Sequence, residues 1–212
     1  MTPTTPIKLG LDFDNTIVCY DAAIALLAEE LFDLPPEVPR TKIGLREHLR
    51  SEGREPEWTA FQGELYGPGM RYAQPFEGAV ETMVGLVAAG YELIIVSHRS
   101  RTPYSGKPHD LHAFGREWIA NQLQNKGLFG TTGKKNSIHF LESQAEKIHM
   151  IAENKFYAFM DDLPEIFTAH TFPHHFTRSI LFRQSHNSPT AEKIETIARW
   201  SELTDLLRRV EK

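Results

Sequence analysis

A short aliphatic run that ends in two carboxylates is the feature that most constrains this chain. Residues 7–11 are mostly apolar, with Ile7, Leu9 and Leu11, and they precede Asp12 and Asp14. The run is brief and follows Pro6, a pattern that predicts a buried strand. Because side chains alternate along an extended chain, the two carboxylates would face the same way if the strand continued past them. Paired carboxylates repel each other, so the pair favours a bound cation or a shared proton.

Strands alternate with helices from residue 77 onward. Apolar runs predict strands at 7–11, 91–96, 137–141, 156–160 and 178–182, with amphipathic helices between them. This alternation indicates an α/β fold, a Rossmann-like parallel sheet of five strands with helices on both faces. Ligands of such sheets bind beyond the carboxyl ends of the strands, close to the point where the strand order reverses.

Polar side chains follow three of these strands directly. Asp12 and Asp14 follow the first, Ser97 follows the second, and Asp161 begins an acidic pair after the fourth. Because parallel strands all end at the same edge of a sheet, these groups are expected to converge. The sequence therefore predicts a site at that edge.

The block between residues 20 and 75 has a different pattern of apolar and polar residues. It carries helical patterns at 22–32, 43–50 and 57–65, separated by proline and glycine, and no convincing strand. We therefore divide the chain into a core domain, 1–19 and 76–212, and a helical cap insertion, 20–75. The cap would hang over the edge of the sheet that carries the polar residues.

Composition limits the possible partners. The 212 residues leave room for one core and a modest insertion, and the net charge of -5 argues against a nucleic-acid polymer as partner. The single cysteine, Cys19, excludes an intrachain disulfide and fits a reducing compartment. Neither a bilayer-spanning run nor a signal-peptide core is visible. We expect a cytoplasmic protein that does not bind membranes, and leave its oligomeric state open.

The order of the polar motifs resembles that of the haloacid dehalogenase (HAD) superfamily. The matching residues are Asp12-x-Asp14-x-Thr16, Ser97, Lys147 and the pair Asp161-Asp162. The resemblance implies a sheet of order 3-2-1-4-5 and a cap inserted after the first strand. Dehalogenases of the superfamily lack an acid two residues after the nucleophile, so Asp14 favours the phosphatase branch.

The resemblance also implies a role for each motif residue. Asp12 would be the nucleophile that forms an aspartyl-phosphate, and Asp14 the general acid and base. Mg²⁺ would be held by Asp12, the backbone carbonyl of Asp14 and Asp161, supported by Asp162. The phosphoryl oxygens would be bound by Ser97, His98, Lys147, Asn15 and Thr16. Three other lysines compete with Lys147 for this role: Lys134, Lys135 and Lys155.

Two further segments are candidates for substrate contact. Arg99, Arg101 and Lys107 follow the second strand and would meet an anionic part of the leaving group, or else form a solvated loop. The cap carries basic residues such as Lys42 and aromatic residues such as Trp58 and Tyr66, which suit a phosphorylated sugar or nucleotide. The helical spacing of Trp58 is also typical of a core residue, and the arginines of the cap are also typical of a solvent-exposed helix face.

The leading hypothesis is therefore a Mg²⁺-dependent phosphatase that acts on a small phosphorylated metabolite. One alternative is a signalling domain that accepts phosphate on an aspartate, although there the acidic pair precedes the acceptor. A second alternative is a catalytically inactive HAD-like scaffold. Such a scaffold has no reason to keep buried like charges together.

Overall fold

The computed structural model describes residues 6–130, 137–183 and 193–209. The strands in these ranges are β1 (Ile7–Leu11), β2 (Val18–Cys19), β3 (Gln74–Pro75), β4 (Tyr91–His98), β5 (Ser137–Leu141), β6 (Ala158–Asp161), β7 (Arg178–Phe182) and β8 (Ile194–Ile197). The α-helices are α1 (Asp21–Leu31), α2 (Lys42–Ser51), α3 (Glu55–Tyr66), α4 (Ala79–Ala88), α5 (Leu111–Gln122), α6 (Gln144–Asn154), α7 (Pro164–Thr168) and α8 (Leu203–Arg208). Short 3-10 helices lie at Pro68–Tyr72, Gln124–Lys126 and Trp200–Glu202.

Six of the strands form one parallel sheet in the order β5-β4-β1-β6-β7-β8. The α/β class and the parallel sheet are thus confirmed, and the five predicted strands follow the expected order 3-2-1-4-5. The predicted number of five was wrong, because β8 adds a sixth strand at one edge. Only the last residue of β8 is buried, so this strand lacks the apolar run that marks the others.

Both faces of the sheet are covered, as in other parallel sheets. Leu11, Ile95 and Met160 belong to a large hydrophobic cluster on one face. Val96 and Phe159 belong to a smaller cluster on the opposite face, together with buried residues of α6 and α7. Side chains alternate along each strand, so successive residues pack on opposite faces of the sheet.

The helical segment between β2 and β3 leaves and re-enters the core at a single place. β2 and β3 pair in antiparallel orientation, with Val18 opposite Pro75 and Cys19 opposite Gln74. Trp58 is buried in the same hydrophobic cluster as Leu11, so it is a core residue here. Three arginines of this segment lie at the surface in ion pairs with glutamates: Arg40 with Glu29, Arg50 with Glu55, and Arg54 with Glu52 and Glu57. Among the described residues, no helix combines the length and apolar character needed to cross a membrane.

Candidate active site

Three carboxylates gather where β1 and β6 end. The two strands are neighbours, with Leu11 opposite Met160, and the Asp12 N–H donates to the Met160 carbonyl at 2.8 Å. Asp12, Asp161 and Asp162 each offer an oxygen, and these oxygens lie within 4.8 Å of one another. Asp12 and Asp161 are buried. The register of two parallel strands therefore places this acidic cluster.

Lys147 lies inside the acidic cluster. Its Nζ is 2.6 Å from Asp12 Oδ1 and 2.7 Å from Asp161 Oδ2, and the side chain is fully buried. The lysine is positioned by the start of α6, where Ser143 Oγ accepts from the Glu146 N–H. Of the competing lysines, Lys155 is exposed at the far end of α6. Lys134 and Lys135 lie outside the described residues.

Burial and mutual repulsion shift the acidity of the cluster. Burial raises the pKa of Asp12 to about 6, opposed by Lys147 and aided by Asp161 and Asp14. Burial, with Asp12 and Asp161, raises the pKa of Asp162 to about 8. Burial lowers the pKa of the Lys147 ammonium, but the two carboxylates outweigh it and the net direction is upward. The single positive charge of Lys147 therefore does not balance the three carboxylates of the cluster. A hard divalent ion such as Mg²⁺, which prefers carboxylate oxygens, fits this donor set.

The loop after β1 turns sharply just beyond the two carboxylates. β1 ends at Leu11, and Asn15 adopts a left-handed conformation, with φ 58°, that turns the chain back toward Val18. Thr16 Oγ1 donates to Asp12 Oδ2 at 3.2 Å. Asp12 and Asp14 both lie beyond the end of the strand and line the same cavity.

Asp14 is held by two residues. Asp14 Oδ1 accepts a short hydrogen bond from the Tyr20 hydroxyl and a second, at 3.3 Å, from Arg99 Nη1. Tyr20 has no counterpart in the motifs read from the sequence. It lies next to the first helix of the inserted segment, and no local pattern marks it.

Arg99 lines the cavity and is held there by several contacts. The sequence offered it either as a contact of the leaving group or as part of a solvated loop; it is only 7% exposed, and its Nη2 donates to the Tyr66 carbonyl at 2.9 Å. Its guanidinium lies 5.5–5.8 Å from the ring centres of Phe13, Tyr66 and Phe140. Because Arg99 already binds Asp14 and a carbonyl of α3, the structure makes it a link between the loop after β1 and the inserted segment.

The remaining predicted residues divide into two groups. Ser97 is buried at the end of β4, and both it and His98 line the cavity beside Asp12. His98 Nδ1 is buried with no hydrogen-bond partner in the described part of the chain. Arg101 instead pairs with Asp110 at 3.0 Å on the surface. Lys107 is exposed, 3.6 Å from Glu64. Neither of these two lines the cavity.

A cavity of about 370 Å³ lies between the carboxyl edge of the sheet and the inserted helices. One wall carries Asp12, Asp14 and Asp162. The inserted segment contributes Lys42 from α2 and Gln62 and Tyr66 from α3. Gln62 was not predicted. Its only sequence signal is that it lies four residues, one helical turn, before Tyr66.

Comparison with solved structures identifies the class of fold. No family model matches the sequence, and no curated protein matches it significantly. YfnB, a HAD-hydrolase of Bacillus subtilis bound to magnesium, has a TM-score of 0.58 at 13% identity, covering 97% of this chain and 100% of its own. A HAD phosphatase of Thermococcus onnurineus has a TM-score of 0.58 at 16% identity, with 95% and 98% covered. A dehalogenase has a TM-score of 0.56 at 13% identity, with 97% and 99% covered.

The chain therefore has the fold of the HAD-superfamily hydrolases, in matches that cover 95–97% of its length. This confirms the fold that the motif order implies. The neighbours include both phosphatases and dehalogenases, so the fold does not choose between these reactions. The choice depends on the side chains of the site.

Proposed function

We propose that this protein is a Mg²⁺-dependent phosphatase that hydrolyses a small phosphate monoester. The observation that carries the proposal is the position of Asp12, buried at the end of β1 against Lys147, Asp161 and Asp162. Asp14, two residues further on, supports a phosphate ester as substrate, because an alkoxide leaving group needs a proton and a halide does not.

The proposed reaction has two steps. In the first, an Asp12 carboxylate oxygen attacks phosphorus, the bond from phosphorus to the ester oxygen breaks, and Asp14 donates a proton to that oxygen. In the second, Asp14 takes a proton from a water molecule that attacks the aspartyl-phosphate. Phosphate leaves and the Asp12 carboxylate is restored.

The surrounding residues supply binding and charge. Asp12, Asp161, Asp162 and the backbone carbonyl of Asp14 would hold Mg²⁺, which would offset the charge of the phosphoryl oxygens when bound. Lys147 screens Asp12 from the incoming anion. The residues proposed to bind phosphoryl oxygens are Ser97, His98, Lys147, Asn15 and Thr16.

The inserted segment is proposed to act as a cap over the site. It provides one side of a cavity of about 370 Å³, which is near the lower end of the range of roughly 300–1,000 Å³ for small-molecule sites. This size supports a small metabolite such as a sugar phosphate or a nucleotide, rather than a nucleic-acid polymer. The single cysteine, Cys19, supports a reducing, cytoplasmic setting.

Hydrolysis of p-nitrophenyl phosphate by the purified protein with Mg²⁺ tests the proposal. We expect turnover that stops on chelation and in Asp12→Asn, and that persists in Asp205→Asn, a matched change at an exposed carboxylate. Normal turnover by Asp12→Asn, or full activity without metal, would contradict the mechanism.

Two parallel assays separate the competing functions. Chloride release from 2-chloropropionate without metal would identify a dehalogenase, the other reaction found among the structural neighbours. A stable phosphorylated protein without turnover would identify a phosphate-accepting signalling domain. Absence of all three activities, with the fold intact, would leave the inactive scaffold.

A further inference from the structure

Among the described residues, carboxylates contact two of the cations at or beside this cavity. Lys147 contacts Asp12 and Asp161 at 2.6 and 2.7 Å, and Arg99 contacts Asp14 at 3.3 Å. Lys42 lines the cavity, as Arg99 does. Within the described ranges, no carboxylate lies within 4.0 Å of the Lys42 ammonium, although its charge acts on Asp162 from further away. The inserted segment thus brings a positive charge without a direct carboxylate contact to the wall of the cavity.

The position of Lys42 in its helix is unfavourable without an anion nearby. Lys42 is the first residue of α2, and no acidic residue is present in that first turn. The amino end of a helix carries a partial positive charge, so a cation there is repelled. Lys147 has a similar position, in the first turns of α6, and two carboxylates of the site compensate it. In the part of the chain that the structure describes, no carboxylate contacts Lys42 in that way, although Asp162 and Glu142 line the same cavity, which is consistent with an anion provided by a ligand.

Lys42 shares the cavity with hydrogen-bond donors and with carboxylates. Its positive charge opposes the rise that burial causes in the pKa of the Tyr66 hydroxyl and in that of Asp162. Gln62, one turn before Tyr66 on α3, lines the cavity with it, and Ser100 joins them from the loop after β4. The side of the cavity that carries Asp12, Asp14 and Asp162 would bind the metal ion and the phosphoryl group. The side that Lys42, Gln62 and Tyr66 form then faces the rest of the substrate.

We propose that the leaving group of the substrate carries a second anionic group, a carboxylate or a phosphate, which Lys42 binds together with Gln62 and Tyr66. This inference rests on the proposed phosphatase function and narrows its substrate class. A neutral sugar or alcohol leaving group would leave the Lys42 charge unpaired inside the cavity. An anionic one forms charge-assisted hydrogen bonds there.

Matched pairs of phosphate esters test the proposal. 3-Phosphoglycerate and glycerol 3-phosphate differ in a carboxylate, whereas glucose 1,6-bisphosphate and glucose 1-phosphate differ in a second phosphate. Each is measured as a substrate and as a competitive inhibitor of p-nitrophenyl phosphate hydrolysis, in the wild type, Lys42→Gln and Lys42→Arg. Lys126→Gln, a change at an exposed lysine far along the chain, is the control.

We expect the wild type to prefer the anionic member of at least one pair by about tenfold to a hundredfold, the usual worth of a charged hydrogen bond. Lys42→Gln should abolish that preference while keeping the neutral member within about twofold, and Lys42→Arg should retain it. The pair that shows the preference identifies the second anionic group of the substrate as a carboxylate or as a phosphate.

Three results would overturn the inference. The first is a wild type that shows no preference within either pair, and the second is an unchanged preference in Lys42→Gln. The third is an equal loss of activity on both members of a pair, which would place Lys42 on the transferred phosphoryl group. If p-nitrophenyl phosphate is not hydrolysed at all, the proposed function fails instead. Calorimetric binding of the same pairs to the Mg²⁺-loaded protein then still decides whether Lys42 selects the anionic member.

Discussion

Arg99 Nη1 lies 3.3 Å from Asp14 Oδ1, which joins two residues 85 positions apart in the chain. The same guanidinium donates to the Tyr66 carbonyl at the end of α3. The proposed general acid is therefore held by a residue that also contacts the inserted segment. Correct placement of Asp14 depends on both parts of the molecule.

Replacing Arg99 with methionine should impair the protonation of the leaving group more than substrate binding. Loss of the guanidinium removes one of the two contacts that hold the Asp14 carboxylate, and misplacement of a catalytic group by about 1 Å costs on the order of a hundredfold in rate. In single turnovers, we expect the rate of aspartyl-phosphate formation to fall by that order for alkyl phosphates and much less for p-nitrophenyl phosphate, whose leaving group needs no proton. Arg99→Lys should recover part of the loss. An equal fall in this first step for both substrates would show a general structural defect instead.

Replacing Lys147 with methionine should destabilise the metal-free protein. The change leaves Asp12 and Asp161 buried without a cation, and breaking such a pair costs about 3–5 kcal/mol of unfolding free energy. Urea denaturation at pH 8 in a chelator measures this loss, with Lys126→Met as the exposed control. The loss should shrink at pH 5, where the carboxyl groups take up protons, and on addition of Mg²⁺. A stability equal to that of the wild type at pH 8 would contradict the charge balance described above.

Mg²⁺ affinity should rise with pH. In the metal-free protein the pKa of Asp162 is raised to about 8 and that of Asp12 to about 6, so both carry protons at lower pH that the metal must displace. Binding is therefore weakest below pH 6 and tightens on the order of a hundredfold between pH 6 and pH 8. Calorimetry in buffers of different ionisation enthalpy measures both the affinity and the released protons. Asp162→Asn should remove most of this slope, and a flat profile in the wild type would refute the assignment.

Gly10→Ala should weaken the sheet itself. A Cβ at Gly10, in the middle of β1, would lie 2.3 Å from Phe159 Cδ2, so the ring must move. Overpacking of this kind typically costs about 1–3 kcal/mol of unfolding free energy. Gly85→Ala in α4 is the matched control, because nothing lies within 4 Å of its Cβ and alanine favours a helix by up to about 1 kcal/mol. Thermal or urea unfolding of the two variants should move in opposite directions.

The parts of the site that sequence reasoning found are those set by local patterns. Asp12, Ser97 and Asp161 each lie at the end of an apolar run, and parallel strands bring such ends together without further information. The capping box at Ser143 predicts where α6 begins, but only the resemblance to the HAD superfamily singled out Lys147 within that helix. Periodicity and capping are short-range signals, so one sequence is enough to read them.

The parts that sequence reasoning missed depend on contacts between distant residues. The link from Arg99 to Asp14 joins separate loops, and the role of Tyr20 arises only when both approach the same carboxylate. β8 pairs with a single neighbour, and its partly exposed residues lack an apolar pattern. Each of these features is determined by tertiary packing, which composition and spacing do not record.

The pairing of β2 with β3 has a consequence for how proteins of this fold diversify. Since the ends of the helical segment sit side by side, with Val18 opposite Pro75, a shorter or longer segment can replace it without altering the spacing of the sheet. Evolution can thus exchange the residues proposed to select a substrate while the carboxylates proposed to react with it stay fixed. Transplanting the segment between relatives is the corresponding engineering route.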